Sequence, residues 1–234
     1  MTRSRRCLAA ACAFVWFGLS VPACADTSEN GAWLSAILTG RFDAEDDSNR
    51  WRWWLDGQYR FQNSATNVST ILVRPAIGYV VKPGLSLWAG YGWFGTDADG
   101  VGRLDENRLW QDLLWRPVID APLRLILRTR LEQRWLDNGD DTGWRFRQLL
   151  RFELPFAANG RLALIGANEF LVAMNDTDWG ERSGLDQNRL FLGLGYQAGE
   201  NAFIEFSYLN LYVDRPVIED VVNHLLFASV RLNF

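Results

Sequence analysis

Two faces of opposite character alternate residue by residue through nearly the whole chain, and this period of two limits the fold more than any other feature. In 122–135 one set holds Leu123, Leu125, Leu127, Thr129, Leu131, Gln133 and Trp135, and the other holds Arg124, Ile126, Arg128, Arg130, Glu132 and Arg134. A helix would scatter these sets around its axis, whereas a strand separates them. Residues 143–154 repeat the arrangement, with Trp144, Phe146, Gln148, Leu150, Phe152 and Leu154 opposing Arg145, Arg147, Leu149, Arg151 and Glu153. Earlier, Trp51, Trp53, Leu55, Gly57, Tyr59 and Phe61 oppose Arg52, Trp54, Asp56, Gln58 and Arg60.

The same reading predicts strands over 31–40, 50–61, 68–80, 85–94, 104–115, 122–135, 143–154, 161–171, 185–197, 201–212 and 222–234. No connection is long enough for a crossover helix, so the fold class is all-β and antiparallel. Past residue 80 the connections alternate. Those at 82–84, 117–121, 157–160 and 199–201 are short, and those at 95–103, 137–142, 173–184 and 213–221 are longer and rich in Asp, Asn and Gly. That asymmetry, with strand lengths suited to a tilted membrane strand, predicts a transmembrane β-barrel. Aromatic residues near strand ends (Trp33, Trp51, Trp93, Trp115, Trp135, Trp144, Tyr196 and Tyr212) fit two interfacial girdles. A soluble sandwich is the competing architecture, and it would have to bury an aromatic-rich face of nearly every strand in one small core. Exported bacterial barrels have even strand numbers, so eleven alternating runs lead to an expectation of 12 strands, favoured over 10.

Residues 1–25 read as a cleaved signal peptide: Arg3, Arg5 and Arg6, an apolar run from Cys7 to Val21, then Ala23-Cys24-Ala25 as the cleavage site. A lipoprotein cut before Cys24 is the alternative, and Pro22 fits it poorly. Residues 26–234 then form the barrel domain. Removing the leader takes away Cys7, Cys12 and Cys24 and three arginines, leaving 21 basic against 28 acidic residues. Disulfides, a thiol nucleophile and thiolate metal sites are excluded from the mature chain, and a single histidine, His224, excludes a polyhistidine centre.

A charged side chain facing hydrocarbon at the midplane costs about 2–4 kcal/mol, so the arginine faces must line the lumen. This makes Arg124, Arg128, Arg130, Glu132, Arg134, Arg145, Arg147, Arg151 and Glu153 the expected lumen-lining residues. Over all strands it turns inward 13 arginines, adding Arg52, Arg60, Arg74, Arg108, Arg189 and Arg231, against six carboxylates, adding Asp56, Asp112, Glu169 and Glu205. The remaining carboxylates, Glu181 among them, are assigned to loops. A hairpin about 138–141 places Arg134 near Arg145, Glu132 near Arg147 and Arg128 near Arg151, leaving Arg128, Arg130 and Arg151 without partners on those two strands. The expectation is therefore a small porin-like channel with an anion-preferring lumen, small anions being its solutes. The alternative is a closed structural or small-ligand-binding barrel, in which carboxylates across the lumen pair with the arginines.

An enzyme is not expected. His224 faces outward near the outer end of the last strand, while Ser229 and Ser207 face inward, so no nucleophile–base pair forms. The segments 97–102 and 175–180 resemble pieces of a calcium loop without its full ligand spacing, so no metal and no cofactor are assigned. Export, acidic balance and confinement of arginines to one face disfavour nucleic acid. The last strand puts Leu226, Ala228, Val230, Leu232 and Phe234 on one face, and its terminal aromatic resembles the signal read by the barrel-assembly machinery of Gram-negative bacteria. The expected location is the outer membrane after export through the periplasm, in contact with lipid and lipopolysaccharide.

Several stretches resemble the family catalogued as domain of unknown function 2490. They are Leu55-Asp56-Gly57-Gln58-Tyr59-Arg60-Phe61, Arg74-Pro75-Ala76-Ile77-Gly78-Tyr79, Glu106-Asn107-Arg108-Leu109-Trp110-Gln111, Asn168-Glu169-Phe170, Leu185-Asp186-Gln187-Asn188-Arg189-Leu190-Phe191-Leu192-Gly193-Leu194-Gly195-Tyr196 and Phe206-Ser207-Tyr208-Leu209. The resemblance covers most of the mature chain and implies an outer-membrane barrel, without implying a biochemical role.

Overall fold

The computed structural model describes residues 27–43, 45–46, 48–63, 68–100, 102–215 and 220–234; the leader read at 1–25 lies outside these. Among the described residues there are eleven strands and no helix: β1 Thr27–Arg41, β2 Trp51–Asn63, β3 Val68–Lys82, β4 Leu85–Ala98, β5 Gly102–Trp115, β6 Arg124–Leu136, β7 Gly143–Ala157, β8 Leu162–Ala173, β9 Gly184–Gln197, β10 Ala202–Val213 and β11 Val221–Asn233. They form one closed barrel in which each strand lies beside its sequence neighbours.

The expectation of 12 or 10 strands is corrected to eleven. All sequential pairs are antiparallel, but β1 meets β11 in parallel, from Thr27 opposite Val221 to Thr39 opposite Asn233. One parallel pair closes a ring of odd number, so the even-number rule does not bind this chain. The C-terminus completes the seam, since the Phe234 N–H donates to the Thr39 carbonyl at 2.8 Å and its ring stacks 6.0 Å from Trp53.

The loop asymmetry holds at three places and fails at two. Connections 137–142, 174–183 and 214–220 are longer than 83–84, 158–161 and 198–201, but β4 and β5 extend to leave only 99–101, while β5–β6 needs 116–123. Pro83-Gly84 makes its tight turn through the left-handed φ of 79° at Gly84, a conformation open to glycine. The β6–β7 hairpin is also registered two residues away from the expected pairing. Glu132 lies opposite Arg145 and Arg130 opposite Arg147, because the turn bends at 136–139, where the Gly139 N–H donates to the Leu136 carbonyl at 3.3 Å. A shift of two preserves parity, so every side chain keeps its expected face.

The barrel is inside out relative to a water-soluble domain. Leu34, Ile71, Ile77, Leu87, Leu150, Phe156, Leu192, Phe206 and Leu226 are exposed, while Asp56, Arg130, Glu132, Arg147, Glu169 and Glu205 are buried. Polar side chains on the outer face bond to one another. Gln111 and Gln133 exchange bonds of 3.1 Å, the Thr129 hydroxyl donates to Gln148 at 2.6 Å, and the Asn168 amide donates to Asn188 at 2.8 Å. Two apolar clusters occupy the interior. Trp33, Leu209, Leu211 and Leu225 pack along β1, β10 and β11, and Ala76, Trp88, Trp110 and Leu114 pack along β3–β5.

Candidate functional site: an ion-paired barrel interior

Most interior charges sit on inward positions of strands, and the pleat stacks such charges two residues apart. Three carboxylates organise the centre. Glu132 accepts from Arg147 at 2.7 Å and lies 3.5 Å from Arg108 and 3.6 Å from Arg130. Asp112 holds Arg130 through two bonds of 2.6 and 2.8 Å, while the other face of that guanidinium lies 3.9 Å from the Trp110 ring. Glu169 receives Arg147 at 2.7 Å, Arg128 at 2.6 Å and Arg189 at 3.4 Å.

Other contacts cross the lumen. Arg151 on β7 reaches Glu205 on β10 at 2.8 Å, and Arg231 on β11 reaches Glu153 on β7 at 2.6 Å. Arg74 pairs with Asp56 on the neighbouring strand. The expectation that Arg128, Arg130 and Arg151 lack partners on β6 and β7 holds for Arg128 alone, since Arg130 lies 3.6 Å from Glu132 of its own strand. Asp112, Glu169 and Glu205 supply carboxylates from three other strands, and Arg151 also meets Glu153 of its own strand at 2.9 Å. The proposed Glu132–Arg147 pair does form, as a diagonal contact. Of the expected lumen residues, Arg130, Glu132, Arg134, Arg145, Arg147 and Glu153 are buried, Arg128 and Arg151 are half-buried, and Arg124 is exposed, 3.8 Å from Glu153.

Sequence reasoning missed three interior carboxylates. Glu106 shares the parity of Arg108 two residues on, and it holds Arg108 at 2.7 Å and Arg134 at 2.5 Å; parity alone would have found it. Asp186 lies where the β8–β9 register shifts between Leu171 and Val172, and it reaches Arg145 at 3.0 Å. Glu181 belongs to the β8–β9 connection, so no alternation could place it, yet its side chain turns inward to Arg134 and to Arg145 at 2.6 Å.

That connection docks on the β6–β7 turn. The Asp178 carboxylate accepts from the Asp140 and Asp141 N–H groups at 2.8 and 3.2 Å, and the Trp179 indole donates to the Asp141 carbonyl at 3.0 Å. A Cβ at Gly139 would lie 2.5 Å from the Trp179 ring and one at Gly143 would lie 2.6 Å from it, so both glycines are needed for this close approach. Burial, with Asp186 and Glu106 nearby, pushes the Glu181 carboxyl up to about 7 against the opposing pull of Arg134 and Arg108. The Asp140 and Asp141 N–H bonds hold the Asp178 carboxyl below its ordinary value.

His224 is exposed on the outer face, with Nδ1 2.5 Å from the Tyr208 hydroxyl, while Ser207 and Ser229 are buried on the inner face, as parity required. Among the described residues no group of three or more His, Cys, Asp or Glu side chains is arranged to hold a metal.

A closed, antiparallel barrel with one parallel seam, apolar outside and ion-paired within, is the class of protein these features define. The particular family follows from sequence: the family described as Protein of unknown function (DUF2490) matches residues 30–222, and the chain belongs to it. An uncharacterized protein of Methylorubrum extorquens is 32% identical over 183 residues, covering 78% of this chain and 80% of the relative. No solved structure matches the chain.

Proposed function

We propose that this protein is an outer-membrane β-barrel held shut by its interior ion pairs, a closed barrel of the ligand-binding kind with no catalytic role. The observation that carries the reading is the inverted distribution of side chains. A sheet closed on itself satisfies its backbone without water, as a bilayer requires, and its exposed leucines, phenylalanines and tryptophans match hydrocarbon. The paired outward amides and hydroxyls reduce the cost of the few polar groups on that face.

Closure is supported by the burial of the central charges. Arg130, Glu132, Arg147 and Glu169 are only 1–3% exposed, whereas groups lining a water-filled channel would be wetted. The anion-preferring pore rested on unpaired arginines, and Glu169 and Glu205 engage the two on which it leaned most, Arg128 and Arg151. Membrane fractionation and liposome swelling test the proposal together. The protein should partition with the outer membrane, and liposomes containing folded protein should exclude small sugars and salts. Recovery as a soluble periplasmic species, or swelling at the rate of an open porin, would overturn it.

A further inference from the structure

The barrel mouth ringed by the connections 83–84, 116–123, 158–161 and 198–201 gathers more arginines than carboxylates. Four guanidinium groups meet there, those of Arg116, Arg124, Arg151 and Arg231, and two carboxylates answer them, Glu153 and Glu205. Glu153 is the common partner. It accepts from Arg231 at 2.6 Å and from Arg151 at 2.9 Å, and it lies 3.8 Å from Arg124. Glu205 holds the other side of Arg151 at 2.8 Å. Arg116 has Arg231 and Glu153 as its charged neighbours. The other charged residues of this rim, Lys82, Asp120, Arg161 and Glu200, are exposed, cancel in sign and form no ion pair with the four arginines among the described residues.

The four arginines are not equally committed. Arg151 is held on both sides. Arg231 gives Nη2 to Glu153 and lays its plane 4.2 Å from the Phe203 ring, and 29% of its side chain is exposed. Arg124 stands opposite Glu153 in the β6–β7 register yet makes no hydrogen bond, and 55% of its side chain is exposed. Arg116 is exposed, and its guanidinium makes neither a hydrogen bond nor an ion pair among the described residues. Its backbone is nevertheless fixed. The Arg116 N–H donates to the Gly84 carbonyl at 2.7 Å, and a Cβ at Gly84 would lie 2.3 Å from the Arg116 carbonyl oxygen. At the shut centre the guanidinium groups of Arg130 and Arg147 are buried against their carboxylates. At this mouth the free donors face water.

We propose that this mouth binds a phosphate group carried by a small soluble monoester. Arg116 and Arg124 donate to its oxygens from the β5–β6 connection and the start of β6, and the exposed edge of Arg231 donates from β11 across the lumen. A guanidinium fork matches the geometry of phosphate oxygens, and charge-assisted bonds of this kind are the strong ones. Four arginines against two carboxylates leave a surplus of two positive charges, which the charge of a phosphate monoester approaches at neutral pH and a lipid phosphodiester does not. All three donors surround Glu153, so they converge on one place, while Glu153 itself stays engaged by Arg151 and Arg231. The inference goes beyond the closed outer-membrane barrel and does not rest on it, because the mouth lies outside the buried centre and is wet whether or not that centre conducts.

The test is calorimetric titration of the folded full chain in an uncharged detergent, in phosphate-free buffer at constant ionic strength. The probes are phenyl phosphate, inorganic phosphate and, in mixed micelles, phosphatidylglycerol. Saturable binding of phenyl phosphate or inorganic phosphate is expected, weakened about tenfold by Arg124→Gln and further when Arg116→Gln is added. Arg182→Gln removes the same charge at the opposite mouth and should bind as the native chain does. Heat-modifiable gel migration confirms that each variant is folded, and the readout is independent of membrane location and of conductance. No saturable binding of either soluble probe by folded native chain, equal weakening by Arg182→Gln, or saturation by phosphatidylglycerol alone would overturn the proposal.

Discussion

Arg147 and Arg60 both point into the barrel, yet they are held by opposite means. Arg147, on the β5–β8 wall, is clasped by Glu132 and Glu169. Arg60, beside the seam, rests on Gln58 and the face of Trp33. The wall is a network in which removing one member strands several others. The seam is closed by backbone bonds of a parallel pair, by the Trp33–Leu209–Leu211–Leu225 cluster and by terminal Phe234. Charges that hold a fold together can thus be told from charges that do not by counting what each would leave unpaired if removed.

Glu169→Gln should break the wall most severely, because Arg128, Arg147 and Arg189 all lean on it. Breaking a buried pair costs about 3–5 kcal/mol, and unfolding in detergent should lose at least that amount. A loss below about 1 kcal/mol would show that the network contributes little.

Phe234→Asp should lower the yield of folded barrel severalfold, whereas Asn233→Ala should change it little. Phe234 stacks on Trp53, while the Asn233 side chain makes one exposed bond, accepted from the Thr39 hydroxyl at 3.1 Å. Equal folded yields of the two variants would show that the contact of Phe234 with Trp53 does not hold the seam.

A smaller effect concerns the loop that docks on the wall. Glu181 titrates near 7 when docked and near 4.5 when free, so the docked carboxyl binds its proton more tightly. Docking is then strongest below about 4.5, weakens as pH rises to about 7 and levels off above it. Exchange of the Asp140 and Asp141 amides, corrected for intrinsic rates, should follow that window and lose its pH dependence in Glu181→Gln. Unchanged pH dependence in that variant would place the titrating group elsewhere.

Arg60→Gln should be the mildest of these changes, within about 1 kcal/mol of the native chain, since no carboxylate is left behind. A loss comparable to that of Glu169→Gln would erase the distinction between wall and seam.

Most of the wall was legible in the sequence because parity is a property of single strands. Arg130, Glu132, Arg145 and Arg147 fall on the inner face whatever the register, and all four are there. What could not be read were relations between strands. The Arg128–Glu169 contact reaches from β6 past β7 to β8 and the Arg151–Glu205 contact crosses from β7 to β10, joining residues 41 and 54 positions apart that the alternation within one strand cannot relate. The strand number failed for a related reason. Alternation counted eleven runs correctly, while the choice of twelve came from a rule about antiparallel closure that the β1–β11 pair does not follow. Glu181 was out of reach because a connection has no periodicity to place it.

The central claim is that the interior is shut by its own charges, and single-barrel conductance in a planar bilayer tests it most directly. Folded native protein should show no steady conductance, and Glu169→Gln, if it inserts, should show openings that favour chloride over potassium, the preference declining as salt rises. A stable open channel from the native chain, at any selectivity, would contradict the account.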